Sequence, residues 1–307
     1  MATPPENAES AAPGMVWVPG GSFVMGSNAH YPEERPAHPR RVDGFWMDRT
    51  AVTNAEFARF VAETGYVTTA ELPPDAAEAA ALAPALRHAG SLVFHKTDGP
   101  VPLDDVAQWW RFVPGASWRH PRGPDSDIAG DGALPVVHVS VDDALAYAHW
   151  AGKDLPDEAE WEYAARGGCP DDQIWPWGHH LTDDGKPMAN TWQGEFPWQD
   201  LALDGFAGIA PADSFAPNGY GLFNMIGNVW EWTTGRFRSD HMARKSCCSV
   251  GRDGTDGPAT ERLVIKGGSH LCAPNYCRRY RPAARTPQQA TATTNHIGFR
   301  CIRRPAG

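Results

Sequence analysis

The chain has little cysteine, no long apolar run and no excess of positive charge. Six cysteines in 307 residues are few enough that any local pair asks for a reason. No apolar stretch approaches the roughly 20 residues of a membrane-spanning helix. A net charge of −10 argues against a nucleic-acid binder and is compatible with a basic peptide partner. Residues 1–14 (MATPPENAESAAPG) lack the basic and apolar regions of a signal peptide and read as a disordered leader. There is no HExxH motif, and no internal repeat of about 20–50 residues. These absences point to a soluble cytoplasmic protein, where structural disulfides are rare. Nothing marks a linker, so residues 15–307 read as a single domain.

What the chain does hold is tryptophan, glycine and proline, with 13, 31 and 28 residues. That mixture favours a turn-rich fold over long helices or a repetitive sheet. Residues 16–26 predict two short strands around Pro19-Gly20-Gly21, and residues 40–47 one more. Thr53 and Glu56 form a capping box for a helix that Gly65 ends. Phe57, Phe60 and Val61 make its apolar face. Residues 75–88 are alanine-rich and suit a short helix, and residues 136–139 are a strand candidate. Ser140 with Asp143, and Asp157 with Glu160, cap two further helices reaching Trp150 and Arg166. Glu158, Glu160 and Glu162 read as caps and a solvated face. Beyond Arg166 no segment has helical periodicity, so strands and loops are expected there.

The densest chemistry lies in residues 267–285. Cys272 and Cys277 stand among Gly267, Gly268, Ser269 and four arginines, Arg278, Arg279, Arg281 and Arg285. In an extended strand that offset spans about 16 Å and turns the side chains to opposite faces. In an α-helix it separates them by about 140°. Neither brings the sulfurs together. A disulfide needs Cα atoms within about 7 Å, and a metal held by two thiolates needs sulfurs within about 4–5 Å. The segment therefore has to fold back, and Pro274 and Asn275 are turn formers placed for it. Zinc pairs are spaced differently and a second pair follows them; here only His296 and Cys301 follow. Two thiolates alone suit Cu(I). A structural disulfide and a pair of inert buried thiols stay open at this point, while the arginines favour the thiolate that binds metal and attacks.

Two other segments are rich in oxygen donors. Asn190, Thr191 and Glu195 precede Asp204-Gly205-Phe206, and Asn224 precedes Gly227, Val229 and Glu231. Amides, carboxylates and glycine-freed carbonyls are hard donors suited to Ca²⁺, although Asn and Gly also make turns for their own reasons. Cys247-Cys248 reads as two exposed free thiols, since adjacent cysteines bond only with strain. Cys169 and Cys301 read as unpaired, and His179-His180 as surface loop.

Together these motifs resemble the formylglycine-generating enzymes, or sulfatase-modifying factors, particularly the actinobacterial members. The likeness covers nearly all of residues 15–303. It includes Pro19-Gly20-Gly21-Ser22-Phe23, Ala51-Val52-Thr53-Asn54, Trp118-Arg119-His120-Pro121, Glu158-Ala159-Glu160-Trp161, Gly227-Asn228-Val229-Trp230-Glu231-Trp232 and Gly298-Phe299-Arg300-Cys301. Its specific part is Gly267-Gly268-Ser269, Cys272, Tyr276-Cys277, Arg279-Tyr280-Arg281 and Ala284-Arg285.

The resemblance implies an α+β, C-type-lectin-like fold with low regular secondary structure and few short helices. It implies an oxidase that uses O2 to convert the cysteine of a Cys-x-Pro-x-Arg motif in an unfolded sulfatase polypeptide to Cα-formylglycine. It implies Cu(I) on Cys272 and Cys277, with Ser269 beside the metal. It also implies two structural Ca²⁺ sites, one at Asn190, Thr191, Asp204 and Phe206 and the other at Asn224, Gly227, Val229 and Glu231. Trp118, Trp230 and Arg285 are expected at the substrate groove. The chain is expected to be a monomer that binds neither nucleic acid nor membrane. Ala148 and Pro282 stand where secreted relatives carry cysteines, which leaves Cys301 without a partner. His270 and Ala273 stand where many members have Tyr and His. The competing reading is a non-catalytic lectin-like module binding peptide or carbohydrate, and the cysteine pair speaks against it.

Overall fold

A computed structural model describes residues 13–239, 241 and 262–305. Most of the expected leader, and Cys247-Cys248, lie outside the described residues. The first half of the chain carries β1 (Met15–Val18), β2 (Gly21–Met25), β3 (His38–Val42), β4 (Phe45–Asp48), α1 (Asn54–Thr64), α2 (Ala76–Ala81), β5 (Gly90–Phe94), β6 (Trp110–Pro114) and α3 (Val141–Trp150). The second half carries α4 (Glu158–Arg166), β7 (Thr182–Asp183), β8 (Lys186–Pro187), β9 (Trp230–Arg236), β10 (Arg262–Lys266), β11 (Arg285–Gln289), β12 (Ile297–Gly298) and β13 (Ile302–Arg303). Among the described residues no helix is long and apolar enough to cross a membrane.

The helix starts follow from local chemistry. Thr53 Oγ1 accepts from Glu56 N while the Glu56 carboxylate accepts from Thr53 N. The same exchange between Ser140 and Asp143 opens α3, and between Asp157 and Glu160 opens α4. Each satisfies two amides that a helix end leaves unpaired, typically contributing about 1 kcal/mol.

The strands are short and divided. β1, β4 and β13 form one sheet, and β11, β10, β9 and β12, in that order, form another. β2–β3, β5–β6 and β7–β8 are separate two-stranded pairs. Residues 40–47, expected as one strand, belong to two. The break is at Asp43-Gly44, where Gly44 lies so close to Trp17 that an added Cβ would meet its ring. This turn lets β3 pair with β2 and β4 with β1. The strand expected at residues 136–139 is absent. Val136 N donates to Val52 O, His138 N donates to Thr294 O, and His138 has a φ of 62°. Successive amides thus go to different partners and no ladder forms.

With so little ladder, aromatic burial carries much of the stability. Phe57, Trp118, Tyr147, Trp232 and Phe299 share a core with Cys272 and Cys301. Trp161 packs with Phe23, Phe45 and Met47 in a second core. Fully burying one tryptophan contributes about 4 kcal/mol on an area basis.

The α4 glutamates depart from the solvated face expected of them. Glu162 accepts from Lys266 Nζ at 2.9 Å and from Arg166 at 3.1 Å. Glu158 receives Arg285 in a two-pronged contact at 2.6 and 3.0 Å, and Glu160 receives Arg304. The cause is that α4 lies between β2–β3 and β9–β10, so it has no free face. Burial by itself would raise the Glu158 carboxyl, but His241, Lys266 and Arg285 outweigh it and bring it down to about 2.

Candidate active site

β10 ends at Lys266, and Gly267 and Gly268 follow with φ of 96° and 79°. A Cβ on Gly268 would stand 2.8 Å from Tyr280 Cα, so only glycine allows the two segments to approach. Beyond them Cys272 N donates to Ser269 O at 2.9 Å and Cys277 N to Ala273 O at 2.9 Å. The chain turns through Pro274, Asn275 and Tyr276, as the turn formers predict. Cys272 Sγ and Cys277 Sγ come to 3.3 Å. Both cysteines are free, so the fold-back is there and the disulfide is not.

The two sulfurs are unlike. Cys272 is 2 % exposed and burial pushes its thiol well up. Cys277 is brought down to about 6 by the hydrogen bond from Cys272, with Arg279 helping against the cost of burial. Burial thus favours the protonated form at Cys272, and the hydrogen bond favours the ionised form at Cys277. Ser269 N points at Cys272 Sγ from 3.4 Å. Of the four arginines only Arg279 acts on the thiolate. Arg281 is bound to Glu34 at 2.6 and 2.9 Å, Arg285 is bound to Glu158, and Arg278 faces away from the cleft.

The sulfurs lie in an open cleft of about 520 Å³. Ser269 and Trp230 line it with them, so these two predicted residues join the pair. Trp118 and Arg285 do not. Trp118 packs against Phe57 in the core and lines a separate cleft with His270, Phe206 and Ile209. Arg285 is 2 % exposed, held by Glu158. Sequence reasoning missed Trp109, Phe196, Tyr276, Arg279 and His296 as cleft residues. Tyr276 stacks on Phe196 with centroids 4.6 Å apart and meets Trp109 at 5.3 Å. Only Tyr276 and Arg279 were signalled, by their place beside Cys277. Ala273 is buried with Trp109, Trp192 and Phe196 beneath this wall.

The oxygen-rich segments also come together. Asp204 accepts from Thr191 N at 3.0 Å and from Phe206 N at 3.0 Å. Asn190 Oδ1 is buried without a partner, an orphan acceptor of the kind a cation would satisfy. Asn224 Oδ1 is a second such orphan. Glu231, however, is held by Arg300 at 2.8 Å through both oxygens and by Trp161 Nε1 at 2.7 Å. At the first set Asn190 Oδ1 is free for a calcium ion, while Gln193 Nε2 already donates to Thr191 O and Asp204 Oδ2; at the second Asn224 Oδ1 is free but the carboxylate is already neutralised. Among the described residues no group of three or more His, Cys, Asp or Glu side chains is arranged to hold a metal. A metal here would rest on the two sulfurs or on amide and carbonyl oxygens.

A scaffold of short, divided strands with two unbonded cysteines in an aromatic cleft has the build of a lectin-like fold carrying a dithiol site. The model of the sulfatase-modifying factor enzyme 1-like domain matches residues 1–305. The formylglycine-generating enzyme of Mycobacterium tuberculosis is 52 % identical over 299 residues, covering 95 % of this chain and 98 % of that one. That of Thermomonospora curvata is 46 % identical over 312 residues, covering 98 % and 97 %. Among solved structures, PvdO from Pseudomonas aeruginosa has a TM-score of 0.65 at 23 % identity, covering 99 % of this chain and 100 % of that one, a likeness of fold. The chain belongs to the formylglycine-generating enzyme (sulfatase-modifying factor) family.

Proposed function

We propose that this protein oxidises the cysteine of a Cys-x-Pro-x-Arg stretch in a sulfatase polypeptide to Cα-formylglycine, with O2 as oxidant and Cu(I) held by Cys272 and Cys277. The observation that carries the reading is the pair of unbonded sulfurs 3.3 Å apart in an open cleft. The likeness to formylglycine-generating enzymes supports the substrate. The donor set suits a soft ion of low coordination number, since both donors are sulfur. When bound, copper would supply the O2 chemistry that thiols alone lack.

The chain's own residues do the rest. The Cys272 hydrogen bond and Arg279 favour the thiolate form of Cys277, and burial favours the thiol form of Cys272. Ser269 N holds the Cys272 sulfur in place, Ser269 Oγ accepts from Leu271 N at 3.2 Å, and its hydroxyl donates to the Cys272 sulfur. Leu92, Val106 and Tyr276 are exposed on the cleft wall, and an apolar rim of this kind suits an extended peptide. In balance, the substrate thiol, O2, two electrons and two protons give the aldehyde, hydrogen sulfide and water; the electrons come from an external thiol. A structural Ca²⁺ at Asn190, Thr191, Asp204 and Phe206 would satisfy the orphan Asn190 Oδ1 and tie the two ends of this loop together. At Asn224, Gly227, Val229 and Glu231 it would compete with Arg300.

The test is aerobic incubation of the copper-loaded protein with a short sulfatase-derived peptide, reading by mass spectrometry the exchange of thiol for aldehyde. Cys272→Ser and Cys277→Ser should each abolish copper binding and turnover, with circular dichroism unchanged. Turnover retained by either variant contradicts the assignment.

A further inference from the structure

Residues 277–281 form a partition with a different chemistry on each side. Cys277 and Arg279 line the cleft. Arg278, Tyr280 and Arg281 line a second cavity of about 310 Å³ behind it. Tyr31 belongs to both sides. Its ring lies 3.8 Å beneath the Arg279 guanidinium, its hydroxyl accepts from Arg278 N at 3.1 Å, and it walls the second cavity. Trp175 and Tyr280 supply two more aromatic walls, and His30 and His179 stand at the edge.

Among the described residues, one cation at this cavity has no carboxylate partner. Arg281 is neutralised by Glu34 and Arg279 by Glu33. Arg278 lies against the Tyr280 hydroxyl and has no carboxylate partner among the described residues. Burial first, then Arg281 and Arg278, lower His30, so its imidazole is neutral and offers an N–H without added charge. Arg278 is exposed at the mouth of these aromatic walls, so a bond made to it is a partly solvated one.

We propose that this cavity is a subsite for an acidic side chain of the same polypeptide whose cysteine occupies the cleft, with Arg278 pairing its carboxylate. This rests on the cleft being a polypeptide groove. An extended chain advances about 3.3 Å per residue, so one crossing the partition reaches the cavity within a few residues of its cysteine. The subsite rejects the motif's arginine. It therefore sets the direction in which the peptide lies, with that arginine on the side away from residues 277–281.

The experiment is a charge scan. Peptides sharing one Cys-x-Pro-x-Arg core carry Glu, Gln or Lys at a single position, moved two to six residues either side of the cysteine, and kcat and KM are measured for each. At one or two positions on one side, Glu should lower KM relative to Lys by about fivefold at low salt, the scale of one partly exposed ion pair, with kcat unchanged. The preference should shrink in high salt. Arg278→Glu should reverse the order. Equal KM for Glu, Gln and Lys at every position in the wild-type protein, with all peptides turned over, overturns the subsite and leaves the oxidase reading intact. If no peptide is turned over, the oxidase reading fails first and the subsite falls with it.

Discussion

At Cys277 the thiolate is made chiefly by a neighbouring thiol and only secondarily by positive charge. The Cys272 hydrogen bond contributes most to its lowered pKa, and Arg279 adds to it. Arg279 can do so because Tyr31 lies under its guanidinium and Glu33 accepts from its Nε and Nη2 at 3.1 and 2.6 Å. In reduced, copper-free protein, iodoacetamide should label Cys277 with a pH midpoint near 6, while Cys272 stays unlabelled over the same range. Peptide mapping of the labelled protein gives both readings. Arg279→Gln should move the Cys277 midpoint upward. An unmoved midpoint would mean that the Cys272 hydrogen bond sets it alone.

Among the elements, α4 and β10 are joined by charge as well as by packing. Lys266 is 0 % exposed, and its nearest anion is Glu162 at 2.9 Å, with Glu158 more distant at 3.9 Å. Removing one partner of a buried pair strands the other, at a cost of about 3–5 kcal/mol. Glu162→Gln should therefore lower the denaturant midpoint by a corresponding amount. Glu162 does not line the cleft, so activity per folded molecule should survive. A midpoint within error of wild type would mean that water or Glu158 already satisfies Lys266.

For the molecule as a whole, acid is the expected weakness. His138 is fully buried, donates from Nε2 to Pro121 O at 2.9 Å and faces Ser91 Oγ at 2.7 Å. Burial lowers it to about 4 from a usual 6.5. Below about pH 6.5 the unfolded chain takes up a proton there and the folded chain does not, so stability falls as pH drops toward about 4. His270 and His296, lowered by burial to about 4 and about 3, add to the same slope. Glu158 extends it. Its stabilisation is present above the ordinary 4.5 and is lost as pH falls toward about 2. Calorimetry should show a Tm that declines from about pH 6.5 downward. His138→Asn, which tolerates the positive φ, should flatten part of the decline; an unchanged slope would remove His138 from the account.

The sequence by itself determined the features that depend on near neighbours. The three capping boxes are read within four residues, and the fold-back of Cys272 onto Cys277 follows from Pro274 and Asn275 lying between them. The approach of the two sulfurs was legible for the same reason. Tertiary structure alone decided which arginine reaches the thiolate, since Glu33 and Glu34 claim Arg279 and Arg281 across 246 and 247 residues. It also decided that the α4 glutamates are paired with cations, and that Trp109 borders the dithiol cleft while Trp118 borders a separate one. Side-chain partners so distant along the chain leave no periodic trace, because packing selects them only after the strands have paired.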